Sequence, residues 1–473
     1  MLSLTLGVAM EIIGLRDPKR RLRAHIVVLV SAFLGRNISY ANDLWDFIQV
    51  AKTRDATLQA ASFQRDVSVE IRPQALAQLL PQLSASASVA RESLLFQSTQ
   101  LSGNEGVSCA LNSDSRTERC FGNVIGLGLT LSQTLWDTQA FYRLKEANFE
   151  MAAAELTLRS AQQSLLLRVA QAYFAVLSAS DQLDTNRRER QTFETLLNQA
   201  KSREKAGSGA LSDVEQVQAF YDATENGIID AENALDDANL ALTVIVGEHS
   251  QTLSLMRDEI PLVSPEPAAV EEWVRSARQG NFDVLAAQMK ADAAAREVQS
   301  QTGRRFPTLS LIGSSSKFQQ DAILGGNQTI DTIGVYFNWP LFQGGAVSSA
   351  IRQSRAASKQ ALAAYDSTQR DTERQTRSSF RGVMNGIRSI LAAQRAMESG
   401  RVSVQASSSK VDFGTGTEFD LLNAQNNYYA AVRTYKQARY DYLVNSLMLK
   451  QQAGQLSDRD IQAVDNLLVE HSK

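Results

Sequence analysis

Apolar residues recur with two different periods along this chain, and the two periods divide it into strands and rods. Leu83, Ala85, Ala87 and Val89 alternate with Ser84, Ser86 and Ser88. Ile125, Leu127, Leu129 and Leu131 alternate with Gly126, Gly128, Thr130 and Ser132. Ile333, Val335, Phe337, Trp339 and Leu341 alternate with Gly334, Tyr336, Asn338 and Pro340, and Leu309 to Ser315 alternates more weakly. A period of two puts one apolar and one polar face on a strand. Strands are therefore expected over about 83–98, 124–136, 308–318 and 331–342.

Elsewhere the period lengthens. Leu144, Met151, Leu158, Leu165 and Ala172 recur every seven residues, the spacing of a coiled-coil-like seam. Neither proline nor glycine interrupts Gln139 to Lys205, which predicts a helix over about 139–206. At about 1.5 Å per residue it is on the order of 100 Å long. A second long helix is expected over about 346–411, where Ser354, Ala357, Ala361, Ala364 and Ser378 form a small or polar stripe. Turns at 207–212 and 412–417 lead into shorter helices at 213–246 and 418–453.

The chain is one unit written twice. Gly207-Ser208-Gly209-Ala210-Leu211-Ser212-Asp213 recurs as Gly414-Thr415-Gly416-Thr417-Glu418-Phe419-Asp420. The same separation pairs Tyr221 with Tyr428 and Gly247 with Gly454. Pro81-Gln82-Leu83-Ser84 reappears as Pro307-Thr308-Leu309-Ser310. The first repeat spans 42–260 and the second 268–454, with a proline-rich seam at 261–267 and a tail at 455–473. Internal repetition of this kind reports architecture before any single motif does.

Geometry then constrains the assembly. A rod of such length does not fit inside a globular domain of ordinary radius. Four strands do not close a barrel, since common closed barrels need about eight. Left open, a sheet with a lipid-type face is an exposed edge hazard. Several copies sharing one barrel, with helices continuing below it, resolve both problems.

Composition narrows the function. Among 473 residues, 48 Lys+Arg nearly balance 51 Asp+Glu, which gives no support to a nucleic-acid partner. The basic stretch Lys19 to Arg23, the apolar run Ile26 to Gly35 and the small-residue site Ser39-Tyr40-Ala41 read as a secretory signal. Residues 1–41 are thus expected to be an extension plus a signal removed after Ala41, leaving Asn42 first. The alternative reading of the apolar run is a buried helix or an inner-membrane anchor. Cys109 and Cys120 share a polar segment, and in a secreted protein they suggest a local disulfide. The histidines, His25, His249 and His471, are too scattered for a triad or a zinc site. No catalytic residue, metal or cofactor is expected.

Three stretches resemble the TolC family of outer-membrane efflux and secretion ducts. They are Leu80-Pro81-Gln82-Leu83, Pro340-Leu341-Phe342-Gln343-Gly344-Gly345, and Gly414-Thr415-Gly416 with Asp420-Leu421-Leu422-Asn423-Ala424-Gln425. The resemblance runs from about Asn42 to the C-terminus. It implies a mixed α/β membrane protein in which four β-strands per chain contribute to a shared twelve-stranded trimeric β-barrel, continued by a long α-helical barrel. It also implies a homotrimer in outer-membrane lipid, working with an inner-membrane ABC or proton-driven pump and a periplasmic adaptor. Apolar strand faces would meet lipid and Ser/Thr/Gly faces would line water. Trp136, Trp339 and Phe342 would form an interfacial aromatic girdle, or else pack a strand–helix junction.

In that family the helix-to-helix turns close the periplasmic end. The matching residues are Gly207, Gly209 and Asp213 in the first turn and Gly414, Gly416, Asp420 and Asn423 in the second. Asp420 falls on an entrance-aspartate position. Asn423 stands where a second aspartate is usual, and Gly416 stands where a basic residue usually meets the first-turn aspartate. A structural reading competes: Ser212 with Glu215, and Thr417 with Asp420, have capping-box spacing. Absence of a lipid-attachment cysteine leans toward members that serve type I protein secretion as well as drug export. The competing function is a periplasmic coiled-coil scaffold or adaptor without a pore, which has no need of alternating strands.

Overall fold

A computed structural model describes residues 43–96, 118–247, 253–320 and 326–469. The signal, its cleavage site before Asn42, Cys109 and all three histidines lie outside the described residues, and so does the test of a Cys109–Cys120 disulfide.

Three helices open the chain: α1 (Leu44–Arg54), α2 (Ala56–Val69) and α3 (Ile71–Ala77). Two strands follow, β1 (Gln82–Phe96) and β2 (Glu118–Trp136), then the rod α4 (Thr138–Lys205) and the shorter α5 (Leu211–Val246). After a short β3 (Leu255–Met256), the second half has α6 (Val270–Gly280), α7 (Phe282–Gly303), β4 (Thr308–Gln320) and β5 (Gly326–Asn338). Its rod is α8 (Ala346–Asp412), followed by α9 (Glu418–Gln452). The segment after 455 is more than a tail: α10 (Asp458–Asp465) and β6 (Leu468–Val469) fold back, and β6 pairs with β3.

The large sheet is antiparallel throughout, in the order β1-β2-β4-β5. The two hairpins join through β2 and β4, with a register irregularity between Thr134 and Trp136. Strands reach further toward the loops than alternation shows, because ladder pairing continues through polar residues such as Arg91 and Asn123. At the other end β5 stops at Asn338 rather than 342. Pro340 has no N–H to donate and ends the ladder. Trp339 is therefore one residue past the strand, and Phe342 lies in the link to α8.

The rods run 68 and 67 residues. The shorter helices lie along them: α7 packs against the upper part of α4, α5 against its lower part, and α9 against α8. Where α7 meets the start of α4, a Cβ on Gly303 would sit 2.7 Å from the Gln139 nitrogen, so only glycine allows this approach. The main core lies midway down the rods. It unites Phe47 and Ile48 of α1, Leu165, Tyr173 and Phe174 of α4, Tyr440 and Leu447 of α9, and Ile461 of α10. Rings stack edge-on there, with Phe47 and Tyr173 5.6 Å apart. The buried Tyr173 hydroxyl donates to the Ser254 carbonyl at 2.9 Å.

Candidate conduction path and entrance

Directly paired residues share a sheet face, so the register sorts the sheet's side chains. One rung runs Leu83, Leu131, Gly313, Ile333, and the next on that face runs Ala85, Leu129, Ser315, Asp331. The opposite face carries Ser84, Thr130, Ser314 and Thr332, then Ser86, Gly128, Ser316 and Ile330. Leu83 is 72% exposed and Ile333 80% in the single chain. The apolar half of this face, Leu83 to Val89 on β1 and Ile125 to Leu131 on β2, needs a cover. Among the described helices none is long and apolar enough to cross a membrane.

Two of the three candidate aromatics make junction contacts. Trp136 lies edge-to-face with Phe141 at 5.8 Å. Trp339 donates its indole N–H to the Arg305 carbonyl at 3.2 Å. Phe342 is exposed.

At the far end of the rods the two turns share one construction. Gly207 and Gly414 adopt φ of 73° and 68°. Ser208 and Gly209 N–H groups donate to the Arg203 carbonyl, and Thr415 and Gly416 donate to that of Lys410. These bonds satisfy carbonyls that a helix end leaves unpaired. A Cβ on Gly416 would lie 2.7 Å from Lys410 Cβ, so the turn as built has no room for a side chain there.

The caps differ from each other. Thr417 Oγ1 accepts from the Asp420 N–H at 3.1 Å, and the Asp420 carboxylate accepts from the Thr417 N–H at 3.4 Å and its hydroxyl at 2.7 Å. That is the expected capping box. In the first turn the helix begins earlier, at Leu211, with Ala210 as N-cap. Ser212 therefore does not cap, and it is Asp213 rather than Glu215 that reaches back, accepting from the Ala210 N–H at 3.3 Å. Asn423 donates to the Phe419 carbonyl on its own helix at 2.9 Å.

Between the two hairpins the structure shows contacts that sequence reasoning missed. Leu422 of α9 is fully buried among Phe193, Leu197 and Ala200 of α4 and Val214 and Val217 of α5. Beside it, Arg203 at the end of α4 forms an ion pair with Glu418 at the start of α9. Higher up, Arg433 of α9 reaches Glu189 at 2.5 Å and Asn186 at 3.2 Å. Asn186 in turn donates to the Gly227 carbonyl of α5 at 2.8 Å. No local spacing announces the pairs that α9 makes with α4, since those partners lie in different repeats.

Near the sheet, Glu146 of α4 faces Glu297 of α7. Burial first, then the hydrogen bond and charge of Glu297, push the Glu146 carboxyl up to about 8. Glu150 is also raised, chiefly by burial. Among the described residues no group of three or more His, Cys, Asp or Glu could hold a metal ion.

A sheet with one lipid-type and one polar face, continued by duplicated helical rods, defines one subunit of an outer-membrane exit duct. Known proteins carry the same arrangement. This chain belongs to the outer membrane efflux protein family, which matches residues 47–248 and 273–455. It is 29% identical to the outer membrane protein TolC of Vibrio cholerae, over 93% of this chain and 97% of that one. It is 27% identical to the proteases secretion protein PrtF of Dickeya chrysanthemi, over 93% of this chain and 94% of that one. The solved outer membrane protein VceC from Vibrio cholerae shares the fold, with a TM-score of 0.72 at 19% identity, covering 87% of this chain and 96% of that chain. The family is one of channels, and the protein resides in the outer membrane.

Proposed function

We propose that three copies of this chain pool their strands into one twelve-stranded barrel, and that the rods form a periplasmic tunnel which opens at the hairpin tips. The observation that carries this reading is the four-stranded sheet with one apolar face and one small, polar face. Trp136, Trp339 and Phe342 then stand where the barrel meets the periplasmic headgroups. The duct itself catalyses nothing. An inner-membrane pump of the ABC or proton-driven class supplies the energy, and a periplasmic adaptor couples it to the tips. The relatives named for protease secretion and for efflux support either protein or small-molecule cargo.

At the entrance, threefold repetition places three copies of Asp420 around one axis. Its exposed carboxylate caps α9 and at the same time presents negative charge to entering cations. Asp213 caps its own turn, and Asn423 bonds back to the Phe419 carbonyl within its own helix. Gly207, Gly209, Gly414 and Gly416 give the turns the backbone freedom that an outward swing requires. In this chain the tie between hairpins is Arg203–Glu418 with Leu422, in place of a basic residue at Gly416. Asp420→Asn tests the charge while leaving a capping oxygen in place. In planar bilayers the variant is expected to lose cation preference and block by trivalent cations. Unchanged selectivity and unchanged block would remove Asp420 from the pore.

A further inference from the structure

The sheet's apolar face carries two cations at one repeated position. Arg91 lies nine residues after the start of β1 at Gln82, and Lys317 nine residues after the start of β4 at Thr308. Each stands ten residues beyond the proline of its own repeat, Pro81 or Pro307. Lys317 pairs with Leu127 and Thr329 across the ladder, and Arg91 with Asn123. The register therefore places both on the face of Leu83, Leu127, Leu129 and Ile333, away from the Ser/Gly/Thr face. Both side chains are exposed.

Their depth is set by strand geometry. Nine residues at about 3.4 Å span about 30 Å along a strand. At strand tilts of about 35–45° this is about 22–25 Å of height, close to the roughly 25 Å apolar band of outer-membrane barrels. A cation in mid-band costs about 2–4 kcal/mol, and near the interface almost nothing. Arg91 and Lys317 thus mark the outer edge of the band, at headgroup level. Asp331 is the acidic neighbour on this face, one rung lower beside Ser315. Among the described residues Lys317 forms no ion pair with it.

We infer that Arg91 and Lys317 form an outward-facing basic belt that binds phosphate-bearing lipid headgroups of the outer leaflet. Three copies of a duplicated chain give six such cations around the barrel. The chemistry is charge-assisted hydrogen bonding from guanidinium and ammonium to phosphate oxygens. A cation recurs at one height in both halves, while the rest of this face in the first repeat is apolar up to Val89 and Ile125.

The inference rests on the membrane-embedded reading of the sheet, and the experiment separates the two. Purified protein in detergent is titrated with bisphosphorylated lipid A, or with the same glycolipid stripped of phosphate, and bound lipid is counted by native mass spectrometry. Wild-type protein should retain the phosphorylated lipid at least tenfold better than the stripped one. Arg91→Gln with Lys317→Gln should lower that preference at least about fivefold, toward parity, and the charge-keeping swap Arg91→Lys with Lys317→Arg should preserve it. An unchanged preference in the double glutamine variant overturns the belt. Leu129→Asp tests the underlying face independently: normal membrane insertion of that variant overturns the outward assignment itself, whereas failed insertion leaves it standing.

Discussion

Replacing Arg433 with methionine strands a buried charge. The Glu189 side chain is 6% exposed and that of Arg433 28%, with the two charged atoms 2.5 Å apart. Burial already holds the Glu189 carboxyl above the usual carboxylate range, even though the hydrogen bond and charge of Arg433 pull it down. Removing one partner of a buried pair costs about 3–5 kcal/mol. Because Arg433 is partly solvated, about 2–3 kcal/mol is the better figure here. The sign of the pH effect follows from the raised carboxyl. A folded state that holds a proton more tightly than the unfolded one loses stability as pH rises through that window. Without Arg433 the carboxyl rises further, so the deficit of Arg433→Met is largest near pH 8 and shrinks as the pH falls. Thermal unfolding of the detergent-solubilised protein, followed by ellipticity at pH 8 and pH 5.5, reads both the size and the slope. Glu189→Gln combined with Arg433→Met should recover most of the loss. A single variant as stable as wild type at pH 8, or a deficit that does not shrink on acidification, refutes the reasoning.

Three further outcomes are expected. Arg203→Ala and Glu418→Gln each release the tie between hairpin tips, so each should raise single-channel conductance in planar bilayers, and the double variant should add little to either. Glu146 has a folded carboxyl raised from 4.5 to about 8, so it withdraws stability as pH climbs through that range. Glu146→Gln should therefore unfold at a higher temperature than wild type at pH 8 and at a similar one near pH 4.5. Gly303→Leu forces a side chain against the backbone of Gln139, which should lower the yield of membrane-inserted protein in outer-membrane fractions.

Strand and rod were legible because each rests on a local period. Alternation at Ile125 to Leu131 and heptads from Leu144 to Ala172 need no knowledge of partners. The tip turns were legible as well, since glycine at a left-handed position is a local demand. Strand ends were less so. Backbone pairing through Arg91 and Asn123 carries no hydropathy signal, and the alternation at Trp339 and Leu341 continues past Pro340, where the ladder has already stopped. The first-turn cap was misplaced by two residues because Ser212 has the right spacing from Glu215 but sits inside the helix. The contacts that hold the hairpins together were invisible. Arg203 with Glu418, and Glu189 with Arg433, are brought together only by the packing of one repeat on the other.

The mass of the membrane-extracted particle tests the account most directly. Native mass spectrometry of the detergent-solubilised protein counts its chains without reference to cargo or partners. Three chains are predicted, since three sheets of four strands make a hollow barrel and one cannot. A single chain, stable in water without detergent, contradicts the shared barrel and with it the duct.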